Sequence, residues 1–172
     1  MNNNGHVTEP DWLHDALAEY QQPLTRYAFS ILRDPDRAQD VVQDTFVRLC
    51  GEDRDRIEDH LAEWLFTVCR NRALDLKRKE SRWLPMQDSG AEQLSSDLNP
   101  ADAAERGELS ERIVALMKTL PENQQEVVRL KFQNDFRYEE ISRITGLSVS
   151  NVGFLLHTAI KKLRTELKKE SF

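Results

Sequence analysis

The feature that most constrains this chain is an interruption. From Trp83 to Glu108 it reads "WLPMQDSGAEQLSSDLNPADAAERGE", rich in Pro, Gly, Ser, Asn and acid and sparse in apolar residues. Such a stretch cannot bury enough surface to offset the entropy of ordering it, and it reads as a linker. On either side of it, apolar residues recur at three- and four-residue steps, the period of a helix with one buried face. Before it, Trp12, Leu13, Ala16, Leu17, Tyr20, Leu24, Tyr27, Ala28, Ile31 and Leu32 form one stripe. Asp34-Pro35 breaks that stripe, Asp36 is placed to cap a second helix, and Val41, Val42, Phe46 and Leu49 mark its apolar face. Gly51 to Arg56 ("GEDRDR") reads as a charged loop. A third helix then carries Leu61, Trp64, Leu65, Val68, Ala73 and Leu76 into "KRKESR".

After the interruption come a helix around Leu109–Leu120, a break at Pro121, and a helix through Val127, Val128 and Phe132. Two shorter units follow, Tyr138–Thr145 and Ser148–Lys169. No stretch alternates as a strand would. The expected fold is therefore all-α: two small helical domains, an N-terminal helical bundle and a C-terminal helix-turn-helix domain, joined by a flexible acidic linker. Its expected divisions are a tail at 1–10, a first domain at 11–82, the linker at 83–108 and a second domain at 109–172.

Several function classes find no support. No run approaches the roughly 18 uninterrupted apolar residues of a membrane span. The start "MNNNGHVTEPDW" lacks the basic and then apolar pattern of a secretory signal, so a cytoplasmic protein is expected. Cys50 and Cys69 form no CxxC pair; both fall in helical patterns and are expected to be buried thiols. His6, His14, His60 and His157 have no ligand spacing, and no glycine-rich phosphate loop occurs. Neither a metal nor a cofactor is expected, and an enzyme is the weakest reading.

The chain is acidic, with 24 Lys and Arg against 30 Asp and Glu, a net charge of −6, but the charge is segregated. Residues 1–69 hold 6 basic against 14 acidic groups, whereas 70–82 hold 6 against 2. Acid returns over 83–108, 1 against 6, and the last stretch, 141–172, is again basic at 6 against 2. Salt screens charges more than roughly 8–10 Å apart, so phosphate attraction is local and the net charge does not exclude nucleic acid.

Each basic patch sits on a recognisable helical pattern. In "YEEISRITGLSVSNVGFLLHTAIKKLR", Ile141 and Ile144 share a face and Gly146 permits the left-handed exit of a tight turn. Leu147 plugs that turn, Ser148 can cap the next helix, and the small Ser142 marks where the two helices would approach most closely. Val152, Leu155, Leu156, Ala159, Ile160 and Leu163 form the apolar stripe of the second helix. The opposite face presents Ser150, Phe154, His157, Thr158, Lys161 and Lys168. In a helix-turn-helix the second helix enters the major groove and its early residues meet base edges. Two readings of Phe154 stand at this point: contact with a thymine methyl, or packing on a neighbouring domain. The other patch, "AEWLFTVCRNRALDLKRK", interleaves Arg70, Asn71, Arg72, Lys77, Arg78 and Lys79 with an apolar stripe. Cations and amides so placed suit melted nucleic acid, holding phosphates and bonding base edges.

Three runs, "DRAQDVVQDTFVRL", "EWLFTVCRNRALDLKRK" and "LPENQQEVVRLKF" continuing to "YEEISRITGLSVSNV", occur in that order. Together they resemble bacterial RNA polymerase sigma factors of the extracytoplasmic-function (ECF) group, over roughly 11–82 and 109–168. The resemblance implies a subunit that directs core RNA polymerase to specific promoters and helps melt the minus-ten element. It implies docking on the β′ clamp through Asp40, Gln43, Asp44 and Phe46, although Phe46 fits a plain core role equally well. It implies contact of Arg70, Asn71, Arg72, Lys77, Arg78 and Lys79 with the minus-ten element, and a Gly51–Arg56 loop that receives an extruded base. Ser150, Asn151, Phe154, His157, Thr158, Lys161 and Lys162 would meet the minus-thirty-five element. The implied partners are the β′ and β subunits of core polymerase, promoter DNA and an anti-sigma factor, with the acidic linker threading basic polymerase channels.

One departure stands out. Members of this group commonly read "GTVKSRLHRAR" where this chain has "SNVGFLLHTAI", so basic residues give way to Gly153, Leu155, Thr158 and Ile160. Each lost phosphate contact weakens binding, and a weak or unusual minus-thirty-five reader is expected, leaning on Lys161, Lys162 and Arg164. The rival to all of this is a stand-alone helix-turn-helix regulator that binds duplex DNA without polymerase.

Overall fold

The computed structural model describes residues 9–82 and 103–169; the first eight residues of the expected tail and the expected linker over 83–102 lie outside them. The elements are α1 (Glu9–Leu32), α2 (Pro35–Leu49), α3 (Arg54–Ile57), a 3-10 turn (Glu58–His60), α4 (Leu61–Ser81), α5 (Ala103–Met117), α6 (Glu122–Phe132), α7 (Tyr138–Thr145) and α8 (Val149–Lys169). No strand occurs among the described residues. The chain divides into two compact units, Met1–Ser89 and Gly90–Phe172.

In the first unit α1 packs on both α2 and α4, which also meet each other. The stripes read from the sequence supply part of the core, Leu24, Tyr27 and Ala28 from α1, Val41, Val42 and Leu49 from α2, and Leu65 and Ala73 from α4; Ala38, Phe66 and Cys69 complete it, while Leu17 is exposed and Phe46, Trp64 and Val68 are half-buried. The rings of Tyr27 and Phe66 sit 5.1 Å apart between centroids, a tilted pair at the α1–α4 contact. Arg33 takes a left-handed φ of 57° and its N–H reaches the Phe29 carbonyl at 2.9 Å. Asp34, not Asp36, caps α2, its Oδ1 accepting the Arg37 N–H at 3.1 Å. Pro35 explains the choice: it fits the first helical position, where its missing N–H would have been unpaired anyway, and that makes the residue before it the cap. Asp36 falls in the first turn, where its charge complements the helix dipole.

Two further expectations change here. The run Gly51–Arg56 is not all loop, because Asp53 caps α3 by accepting the Asp55 N–H at 3.1 Å. Arg54 anchors this segment, lying 5.9 Å from the centroid of the Trp12 ring and donating to Glu58 Oε1 at 2.7 Å. Cys69 is buried, and burial pushes its thiol up to about 12 against a small opposing hydrogen bond from Thr45. Cys50 is exposed instead of buried, because it is the C-cap of α2, one residue past the last side chain turned to the core.

In the second unit α6, α7 and α8 pack on one another and α5 rests on α8. Leu116, Leu120, Val127, Val128, Leu130, Phe136, Ile141, Ile144, Val152, Leu155, Leu156 and Ala159 are buried. The buried Gln125 is satisfied: its Nε2 donates to the Leu120 carbonyl at 2.8 Å and its Oε1 accepts from Arg129 at 2.9 Å. Helix α5 begins at Ala103, inside the interval read as linker up to 108. Ala103, Ala104, Glu105 and Arg106 all favour helix, enough to carry it through the unfavourable Gly107. Among the described residues no helix is long and apolar enough to cross a membrane.

Candidate nucleic-acid interface

The α7–α8 turn is set by short-range chemistry. Gly146 takes φ 76°, and its N–H closes α7 on the Ser142 carbonyl at 2.9 Å. Ser142 Oγ donates across the turn to the Leu147 carbonyl at 2.5 Å, and Thr145 Oγ1 accepts the Leu147 N–H at 3.3 Å. Ser148 Oγ then accepts the Asn151 N–H at 3.2 Å and caps α8. At the other end of α7, Glu140 Oε2 accepts the Arg137 N–H at 2.7 Å. Partial burial raises the Glu140 carboxyl, but the Arg137 N–H, the Arg137 guanidinium and Arg143 together outweigh it and hold the group below its usual range. Gly153 adds a second close approach, since a Cβ there would lie 3.5 Å from the Tyr138 ring of α7.

Along α8, Ser150, Asn151, Phe154, His157, Lys161 and Lys162 are exposed and Thr158 is half-buried. At ~100° per residue, Ser150, Phe154, His157, Thr158 and Lys161 share an arc of about 100°, while Asn151 and Lys162 lie on its flank. Lys162 also has other work: its Nζ donates to the Thr119 carbonyl at 2.7 Å, holding the turn after α5 to α8. The four departures from the common ECF pattern are not equivalent. Leu155 is only 5% exposed, Ile160 is half-buried, and both belong to packing. Gly153 and Thr158 alone lie near the exposed arc of Ser150, Phe154, His157 and Lys161.

On α4 the buried residues Leu65, Phe66, Cys69 and Ala73 define an inner side. The opposite side is centred on the exposed Asn71 and Arg78, with Arg72 and Lys79 on one shoulder and Arg70 and Lys77 on the other. Arg70 and Arg72 are half-buried; Asn71, Lys77, Arg78 and Lys79 are exposed. This presents cations and one amide over a broad convex surface, chemistry suited to a phosphate backbone and unstacked bases. Two acids partly offset it. Asp75 lies 3.6 Å from Arg78, and Glu80 pairs with Arg37 at the start of α2.

Asp40, Gln43 and Asp44 are exposed along one face of α2. Phe46 is half-buried and lies roughly 110° around the helix from them. The apolar residue that does share their face is Val47, 72% exposed, which the sequence reading passed over. Its signal was available: a Val at i+4 from Gln43 and i+3 from Asp44, off the buried stripe. The structure also joins two residues that the sequence assigned to different surfaces. Arg72 Nε donates to Asp44 Oδ2 at 3.0 Å, tying the acidic face of α2 to the basic side of α4.

Comparison with known proteins accounts for both units. Residues 16–82 match Sigma-70 region 2, and residues 101–163 match Sigma-70, region 4. The chain is 30% identical over 162 residues to the RNA polymerase sigma factor YlaC of Bacillus subtilis, covering 92% of this chain and 91% of that one. It is 34% identical over 155 residues to the ECF RNA polymerase sigma factor EcfG of Rhodopseudomonas palustris, covering 89% and 83%. Among solved structures it resembles the sigma factor RpoE in complex with the anti-sigma factor NepR from Bartonella quintana. That likeness has a TM-score of 0.65 at 23% identity and covers 92% of this chain and 97% of that one. A region 2 unit and a region 4 unit, in that order and spanning nearly the full length of such relatives, place the chain in the ECF group of RNA polymerase sigma factors.

Proposed function

We propose that the two units divide promoter recognition and that core RNA polymerase supplies most of the affinity for both. In the first unit, Arg70, Arg72, Lys77, Arg78 and Lys79 hold phosphates of the opened minus-ten element while Asn71 bonds base edges. The α2 face of Asp40, Gln43 and Asp44, extended by Val47, docks on the β′ clamp, and Phe46 braces that face from the core side. In the second unit Ser150, Phe154, His157, Thr158 and Lys161 meet the minus-thirty-five element, with Asn151 at the edge and Lys162 contributing charge only through its position. The observation that carries the reading is the exposed set Asn71, Lys77, Arg78 and Lys79 on α4, in the unit that matches region 2.

The chain makes no bond itself in this reading; phosphodiester chemistry belongs to the polymerase. It works in the cytoplasm, where the polymerase is. Tethering to a larger enzyme makes each DNA contact intramolecular, so weak contacts suffice at high effective concentration. An anti-sigma protein that covers the α2 face is proposed as the regulator, by analogy with the RpoE relative solved with NepR.

Run-off transcription with core polymerase on a sequenced pool of promoters tests the whole scheme. Specific transcripts that require the chain are expected, together with a gel shift of promoter DNA that appears only when core is added. A shift of equal strength without core would return the chain to the stand-alone regulator reading. For the regulator, co-purification in uninduced cells is expected to recover a protein that core polymerase displaces; recovery of polymerase alone under every growth condition would count against it.

A further inference from the structure

The outward face of α8 carries one large apolar side chain among the polar Ser150, His157 and Lys161. Phe154, the sixth residue of α8, is 65% exposed, although a phenyl ring gains nothing from water. One turn on, Thr158 Oγ1 donates back to the Phe154 carbonyl at 2.9 Å. That bond uses the hydroxyl's proton within the helix, so Thr158 offers no donor beside the ring. Phe154 is thus an apolar centre on a face whose next turns carry Lys161, Arg164 and Lys168. Cations beyond an apolar centre fit a duplex: phosphates outside, and one kind of apolar group within the major groove, the thymine 5-methyl.

We infer that this sigma factor reads its upstream promoter element by thymine methyl groups seated against Phe154 and Thr158, with Phe154 as the specificity-determining residue. The inference rests on the proposed assignment of α8 to the minus-thirty-five element. It also resolves the two readings of Phe154 in favour of DNA, because the flanking charge is basic and shares the ring's side of the helix. Lys161, Arg164 and Lys168 keep the charge contacts, and the ring adds methyl readout in the middle of the face, a part of the affinity that does not depend on salt.

The test uses holoenzyme assembled from the full chain and core polymerase, and a promoter selected by it from a random pool. Each thymine of the upstream element is replaced in turn by deoxyuridine, which keeps the base pair and deletes only the methyl. At one or two positions promoter binding is expected to weaken about fourfold, the effect of one buried methyl-sized group. With Phe154→Ala the thymine and uracil templates should bind alike, and Phe154→Leu should restore part of the difference. Equal binding of both templates by the unmodified holoenzyme, with scrambling of the element still harmful, would overturn methyl readout alone. If scrambling the whole element has no effect, the assignment of α8 to DNA fails, and this inference with it. Weakened binding of Phe154→Ala to core polymerase, with an unchanged ratio between templates, would make the ring a protein contact and refute the proposal.

Discussion

Replacing Gly146 and Gly153 by alanine, one at a time, should move the stability of the second unit in opposite directions. Both glycines flank the same contact between α7 and α8, so composition alone gives no reason to separate them. At Gly146 the backbone is left-handed, φ 76° and ψ 6°, and a Cβ would meet nothing within 4 Å. The cost is then purely conformational, about 1–2 kcal/mol for an L-residue in that region. Gly153 lies within α8 at ordinary helical angles, and its added Cβ would rest 3.5 and 3.8 Å from two Tyr138 ring carbons, normal contact distances. Here alanine gains about 1 kcal/mol of helix propensity and some packing. The two variants should differ by about 2–3 kcal/mol, roughly 10 °C or more in melting temperature for a unit of this size. Urea unfolding followed by far-UV circular dichroism reads the change. All three tryptophans precede residue 84, so their fluorescence follows the first unit and should not move. A Gly146→Ala variant as stable as the parent, or both variants shifting the same way, would refute the turn geometry.

Asp44→Asn breaks an ion pair exposed to solvent, so stability should change by less than about 1 kcal/mol while affinity for core polymerase falls severalfold; equal losses in both, by urea unfolding and competition binding, would make the residue structural. Under native conditions a thiol reagent should modify one cysteine quickly, Cys50, and Cys69 only on unfolding, since burial raises the latter to about 12; two fast thiols by mass spectrometry would contradict the packing. Glu140 has a folded-state pKa below its usual 4.5, so its contribution is fully present above that value and is lost as pH falls through the lower, folded one. The stability of the second unit should therefore fall somewhat as pH drops below about 4.5, and Glu140→Gln should remove that part of the pH dependence; an unchanged acid limb in circular dichroism would discount the carboxylate.

The helices and their inner faces were legible because burial writes a period into the chain. Val41, Val42 and Leu49, or Ile141 and Ile144, need no partner sequence to be seen as one face. Gly146 and Ser148 were equally plain, since a left-handed turn and a helix cap each depend on a residue or two. The features hidden from the sequence depend on which cap wins or on distant pairing. Asp34 and Asp36 are both able to cap, and Pro35 decides between them. Cys50 and Cys69 sit in similar apolar surroundings along the chain, but only one still faces the core where its helix ends. Lys162 bonds a carbonyl 43 residues away, and Arg72 an acid 28 residues away. Val47 differs from these: its place off the buried stripe of Val41, Val42 and Leu49 is legible in the sequence, and only its apolar side chain argues for core.

That bond between Arg72 and Asp44 has a consequence for the order in which a transcription complex assembles. On the proposed assignments one of its ends belongs to DNA and the other to the polymerase, and each charge is engaged while they hold each other. Whichever macromolecule arrives first must pull the pair apart, and it leaves the abandoned charge bare for the second. Two binders that never touch would thus favour one another through a single shared contact. Reciprocity demands an identical factor in both directions, and the modest strength of an exposed pair caps it at about fivefold.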